Sequence, residues 1–204
     1  MRGARRNFLL PGTTVQLRLS LMELRDQAIG PTLAHKLGEP AHVSGLAVYL
    51  AKQSGAGDRL PEWLLKAAVQ RGARHYLRDF DPELPPDNPA ITDEEVGIGL
   101  CLGQFPYSLD RIRAAAQLLS SSRVDAARLG RLAVRERCEP VLLHIAAAAG
   151  RLAPALEPWG YLRRHLPVRK APRQDAMPHW SRLVSHTGVT RQGPPCTEWL
   201  RRHE

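Results

Sequence analysis

Residues 92–103 constrain the fold more than any other stretch. Thr92-Asp-Glu-Glu95 has the capping-box pattern. The Thr92 hydroxyl can accept from the N–H of residue 95, and the Glu95 carboxylate can reach back to the N–H of Thr92. Three carboxylates in a first turn also suit the positive end of the helix dipole, which explains Asp93-Glu94-Glu95 without catalysis. The helix so started reads Val96-Gly-Ile-Gly-Leu-Cys-Leu-Gly103. Each interior Gly costs roughly 1 kcal/mol of helix propensity. Close packing is the usual compensation, and Gly99 and Gly103 form a small-xxx-small face that allows it. The pattern predicts a buried helix with tightly packed neighbours. It is not a phosphate loop, because no strand precedes it and no Lys-Ser/Thr follows.

Composition agrees with a helical core. Of 204 residues, 30 are Leu and 25 are Ala, while aromatics make up 5%. Leu and Ala favour helices, whereas strands are enriched in β-branched and aromatic residues. An all-β fold, a collagen, a disulfide scaffold and a polytopic membrane protein are excluded.

Gly and Pro punctuate the chain. Residues 14–22 fit a strand by alternation and a helix by spacing; the helical reading extends further, to about Ile29. A short helix follows over Thr32–Leu37, then one over Ala41–Gln53 with Val43, Leu46, Ala47 and Leu50 on one face. Leu60-Pro61-Glu62 opens another, with Pro well placed in a first turn. Its Arg71, Arg74 and Arg78 share a stripe that reads as a solvated face or a phosphate-facing ridge. Residues 79–89, with Pro82, Pro85, Pro86 and Pro89, break regular structure. Ser108 and Asp125 are N-cap residues of two further helices. Pro140 should kink or break the second of these, and Gly150 should end its continuation. A last core helix is expected over Pro154–Leu166. Trp180, Leu183 and Val184 read as a short helical patch, and 197–203 as a final turn. The whole is an all-α bundle of about seven to nine helices with an irregular basic C-terminal arm. Its parts are an N-terminal helical half (1–88), a C-terminal half of the same core (89–166) and the arm (167–204). No fixed-period repeat is present.

The formal charge is +9, carried mostly by Arg. Residues 1–90 hold 12 basic and 9 acidic side chains, residues 91–150 seven of each, and residues 151–204 ten and four. The excess is concentrated at the C-terminal end, where it can attract nucleic acid, an acidic protein surface or anionic lipid, or serve only as a solvated tail. Cys101, Cys138 and Cys196 form no CxxC pair, and the first two lie among apolar residues, which suits a reducing compartment. Neither a signal-peptide core nor a run of about 20 apolar residues is present, so the expectation is a cytoplasmic protein without membrane contact.

Four constellations bear on chemistry. Residues 129–143 have a helix-turn-helix outline, but the second helix, Val141-Leu-Leu-His-Ile-Ala-Ala-Ala-Ala149, offers almost nothing to base edges and belongs in a core. Arg137 and His144, separated by six residues, resemble the Arg–His motif of the HEPN ribonucleases. That resemblance implies His144 as general acid or base and Arg137 stabilising the charge on phosphorus. Arg173 and His179 have similar spacing, and in so Arg-rich a chain such matches arise by chance. His165, His179, His186, Cys196 and His203 lack the spacing of a preorganised metal site. Finally, Arg163, Arg164, Arg169, Lys170, Arg173, Arg182 and Arg191 alternate with Trp159, Tyr161 and Trp180. Guanidinium groups pair with phosphate or carboxylate, while aromatic rings stack on bases or anchor in protein pockets.

No GxSxG, HExxH or GxxxxGK[ST] motif occurs. The reading favoured is a non-enzymatic binding or assembly protein, requiring no cofactor or metal. Its arm would contact an acidic protein partner or nucleic acid through Arg163, Arg164, Arg169, Lys170, Arg173, Trp180, Arg182 and Arg191. The opposing reading is a metal-independent HEPN-like ribonuclease using Arg137 and His144.

Overall fold

The structure is a computed structural model that describes residues 30–40, 42–74, 81–168, 175–187, 196–199 and 201–202. Residues 14–29, Arg78, Arg169, Lys170, Arg173 and Arg191 therefore lie outside the described residues. Eight α-helices occur among those described: α1 Leu33–Leu37, α2 Gly45–Ser54, α3 Leu60–Gln70, α4 Asp93–Leu100, α5 Leu109–Leu118, α6 Ala126–Arg135, α7 Glu139–Leu152 and α8 Trp159–His165. Short 3₁₀ turns cover Gly57–Arg59 and Trp180–Leu183, and two strands, β1 Val184–Thr187 and β2 Cys196–Trp199, follow. No described helix is long and apolar enough to cross a membrane.

Helix α4 is the hub. Both halves of its capping box are made, and Val96, Gly97, Ile98, Gly99 and Leu100 are buried. It packs against α2, α3, α5 and α6. A Cβ at Gly97 would lie 2.6–2.8 Å from three atoms of the Leu119 side chain, and one at Gly99 would lie 2.8 Å from Leu64 and 3.0 Å from Leu50. The glycines thus admit neighbouring leucines to the helix backbone. Gly103 has the same use against Ala34, but from the turn beyond the helix rather than within it.

The predicted caps at Ser108 and Asp125 are present, accepting from the N–H of Arg111 and Arg128. Pro140 does break the helix: α6 stops at Arg135 and α7 restarts at Glu139, with Pro in its first turn where an N–H is not needed. Between them Arg137 is left-handed (φ 57°). The Cys138 N–H bonds to the Ala133 carbonyl and the Arg137 N–H to that of Val134, the two bonds of a Schellman ending. Gly150 does not end α7, which runs on to Leu152; its missing Cβ makes room for the Arg163 guanidinium. The last core helix is shorter than predicted, beginning at Trp159.

Residues 81–91 lack regular structure, as their prolines require, yet they are tied down. Leu84 and Ile91 are buried, Trp63 Nε1 donates to the Pro86 carbonyl, and Lys66 Nζ donates to that of Leu84. Arg71 is neither solvated nor a phosphate ridge: its guanidinium, 9% exposed, makes two 2.8 Å bonds to Asp87 and also reaches Asn88 O and Asp93.

The C-terminal residues that are described join the core. Ala176, Met177, Leu183 and Trp199 are buried. The patch predicted as helical begins as a 3₁₀ turn, but Val184 enters β1, which pairs antiparallel with β2 from Val184↔Trp199 to Thr187↔Cys196. The expected final turn at 197–203 is instead partly a strand. Neither Val184-Ser-His-Thr187 nor Cys196-Thr-Glu-Trp199 alternates apolar with polar residues, so no period-2 signal marks the strands.

Candidate functional site

Three places carry the residues of interest. The first is the turn between α6 and α7. Glu136, 4% exposed, accepts from Ser44 Oγ at 2.6 Å and from Arg135 Nε at 2.8 Å. Ser44 also caps α2, accepting from the Ala47 N–H, while its own N–H donates to Gln104. Arg137 and His42 line a small cleft beside this pair, with Cys101, Glu39 and the backbone at Leu102 and Gly103. Its room is about 20 Å³, enough for one water rather than a substrate. Burial pushes the Cys101 thiol up to about 12 and raises that of Cys138 well above its ordinary value, so both are poor nucleophiles.

Arg137 lines this cleft and His144 does not. His144 sits further along α7, half-buried, with Nε2 2.7 Å from the Pro178 carbonyl, to which it donates. Burial holds its pKa below the ordinary value, opposed by that hydrogen bond and reinforced by nearby His179. Most of α7 up to Ala149 faces inward: Val141, Leu142, Ile145, Ala146, Ala148 and Ala149 are buried. It presents no groove-reading surface.

The second place is the anchor of the C-terminal segment. Trp159 Nε1 and Trp199 Nε1 each donate to Ser120 Oγ at 2.8 Å, and Ser120 donates to the Ala116 carbonyl. The two indoles meet edge to face at 6.5 Å. Gln117 donates to the Arg201 carbonyl, and Arg202 pairs with Asp93 at the start of α4.

The third place is the surface beside α7. Arg151 lies over the Trp180 ring at 5.7 Å, and His179 is tilted against the same ring at 5.4 Å. Arg163 crosses Gly150. Arg182 is exposed, and its carbonyl accepts from Arg113 on α5. Arg164 is different, because it pairs with Glu157 at 2.8 Å. The structure thus brings Arg163 and Trp180 of the predicted set to one end of α7, with Arg182 two residues beyond Trp180 against α5, and adds Arg151, which the sequence does not single out. Its i, i+7 relation to His144 was the available signal, since both fall on the outer side of α7.

Among the described residues, no group of three His, Cys, Asp or Glu is placed to hold a metal ion. His165 and His179 are used locally, His165 stacked on Tyr161 and His179 bonded to Ser181. No protein-family model, curated protein or solved structure matches the chain.

Proposed function

We propose that the chain is a non-enzymatic binding or assembly protein whose basic C-terminal region contacts an acidic protein partner. One observation supports this reading above others. Ala176, Met177, Leu183 and Trp199 of this region are buried, and Trp159 and Trp199 are fixed to Ser120, while Arg163 and Arg182 remain exposed with no carboxylate partner among the described residues. A solvated tail has no need of such an anchor. Cations carried on an anchored backbone leave less of the chain to be ordered on binding, which lowers the entropic cost of association.

The test is recovery of partners from native lysate by the full chain and by an Arg163→Glu/Arg182→Glu variant, each with and without nuclease. Truncation after Leu166 is unsuitable, because it removes buried Leu183 and Trp199 as well as charge. The reading expects protein partners that resist nuclease and are lost with the variant. Release by nuclease would make the ligand nucleic acid, and identical recovery by both chains would leave the basic region passive.

A further inference from the structure

We infer that the face formed by Arg151, Arg163, His179, Trp180 and Arg182 docks an acidic protein segment that also carries apolar side chains. The inference rests on the proposed binding role and gives it a place and a ligand chemistry.

The charge on this face is uncompensated. Arg151, Arg163 and Arg182 are exposed and make no ion pair among the described residues, whereas Arg164 and Arg113 have Glu157 and Asp110 close by. Asp175 is the single acidic residue in the segment 175–187. Arg151 lies over Trp180, Arg163 crosses the adjoining Gly150 from α8, and Arg182 follows Trp180 in the 3₁₀ turn, so the three come from three elements rather than from a run of sequence.

The arrangement suits carboxylates better than bases. A guanidinium lying over an indole keeps its N–H edge available, as a planar fork that matches a carboxylate with two parallel bonds. Trp180 is itself only half-exposed, packed against the core and flanked by both Arg151 and His179. Its faces are therefore in use. Single-stranded nucleic acid needs an open aromatic face for each stacked base, and this site does not supply one.

The apolar part follows from the same helix. Exposed Ala147 lies one turn before Arg151 on α7 and offers apolar surface beside it. Exposed ion pairs contribute little individually, so a segment bound here needs several carboxylates together with apolar contacts.

Binding is measured by fluorescence anisotropy on the full chain. The probes are a labelled peptide of Glu and Leu, its Gln and Leu counterpart, and an oligothymidylate. The expected result is binding of the Glu peptide alone, weakened at least about tenfold in Arg151→Glu/Arg182→Glu. Arg123→Glu/Arg131→Glu makes the same change in net charge elsewhere and is expected to shift affinity less than about twofold. Melting curves by circular dichroism confirm that both variants fold. Equal losses in the two variants would overturn this face while leaving a general anion-binding role. Tighter binding of oligothymidylate than of the Glu peptide would overturn the ligand class. No binding of either anion would remove the inference and the reading beneath it.

Discussion

Trp159 and Trp199, 40 residues apart in sequence, end their indole N–H groups on the same atom, Ser120 Oγ, each at 2.8 Å. A hydroxyl has one donor and two acceptor positions. Ser120 uses all three, because it also donates to Ala116 O at 2.6 Å. Ser120→Ala would leave two buried N–H groups unpaired, at a cost of about 2–4 kcal/mol. Urea denaturation followed by tryptophan fluorescence measures this. A loss below about 0.5 kcal/mol would mean that the indoles do not share the hydroxyl.

Gly97 faces a similar test of close packing. Alanine normally gains about 1 kcal/mol over glycine within a helix. Here Leu119 Cγ and both its Cδ atoms lie within 2.8 Å of the added methyl, so turning the isopropyl group about χ2 does not avoid it and the whole side chain must shift in a packed core. Gly97→Ala should destabilise by about 1–2 kcal/mol after the propensity gain is counted. Gly45→Ala, with nothing within 4 Å of the new Cβ, is the control and should be neutral or slightly stabilising. Thermal melts of the two variants that coincide would sink the packing account.

The sequence made local features legible and long-range ones not. The Thr92–Glu95 box, the Ser108 and Asp125 caps and the break at Pro140 each depend on residues within a few positions of one another, and all are present. The Ser44–Glu136 bond spans 92 positions and the Ser120–Trp199 bond 79, and no local period encodes either. Gly150 misled for a related reason. A glycine near the end of a helical pattern reads as a stop, but here it answers to Arg163 on another helix. The basic site was half visible: charge marked the region, while the juxtaposition of Arg151 with Trp180 comes from folding.

Arg137 holds the left-handed position of a Schellman ending, normally a glycine's place. An L-residue pays roughly 1–2 kcal/mol there, and glycine returns part of that through its more flexible unfolded state. Arg137→Gly should therefore raise stability by about 0.5–1 kcal/mol, while Arg137→Ala, which keeps the Cβ, should not. Differential scanning calorimetry of both variants distinguishes them. A lower melting temperature for the glycine variant would show that the Arg137 side chain, not its backbone, matters at this turn.

His144 makes stability depend on pH. Burial sets its folded pKa below the ordinary 6.5, so as pH falls the unfolded chain takes up the proton first. The unfolded state then binds more protons than the native one, and stability declines from just above pH 6.5 down to the lower folded value, levelling off below it. His144→Gln keeps a side-chain N–H for Pro178 and removes the titration. The stability difference between the two proteins should change between about pH 7.5 and about pH 5.5, with the wild type losing more on acidification. Parallel stability curves for the two across this range would mean that the His144 ring is no less solvated in the native protein than in the unfolded chain.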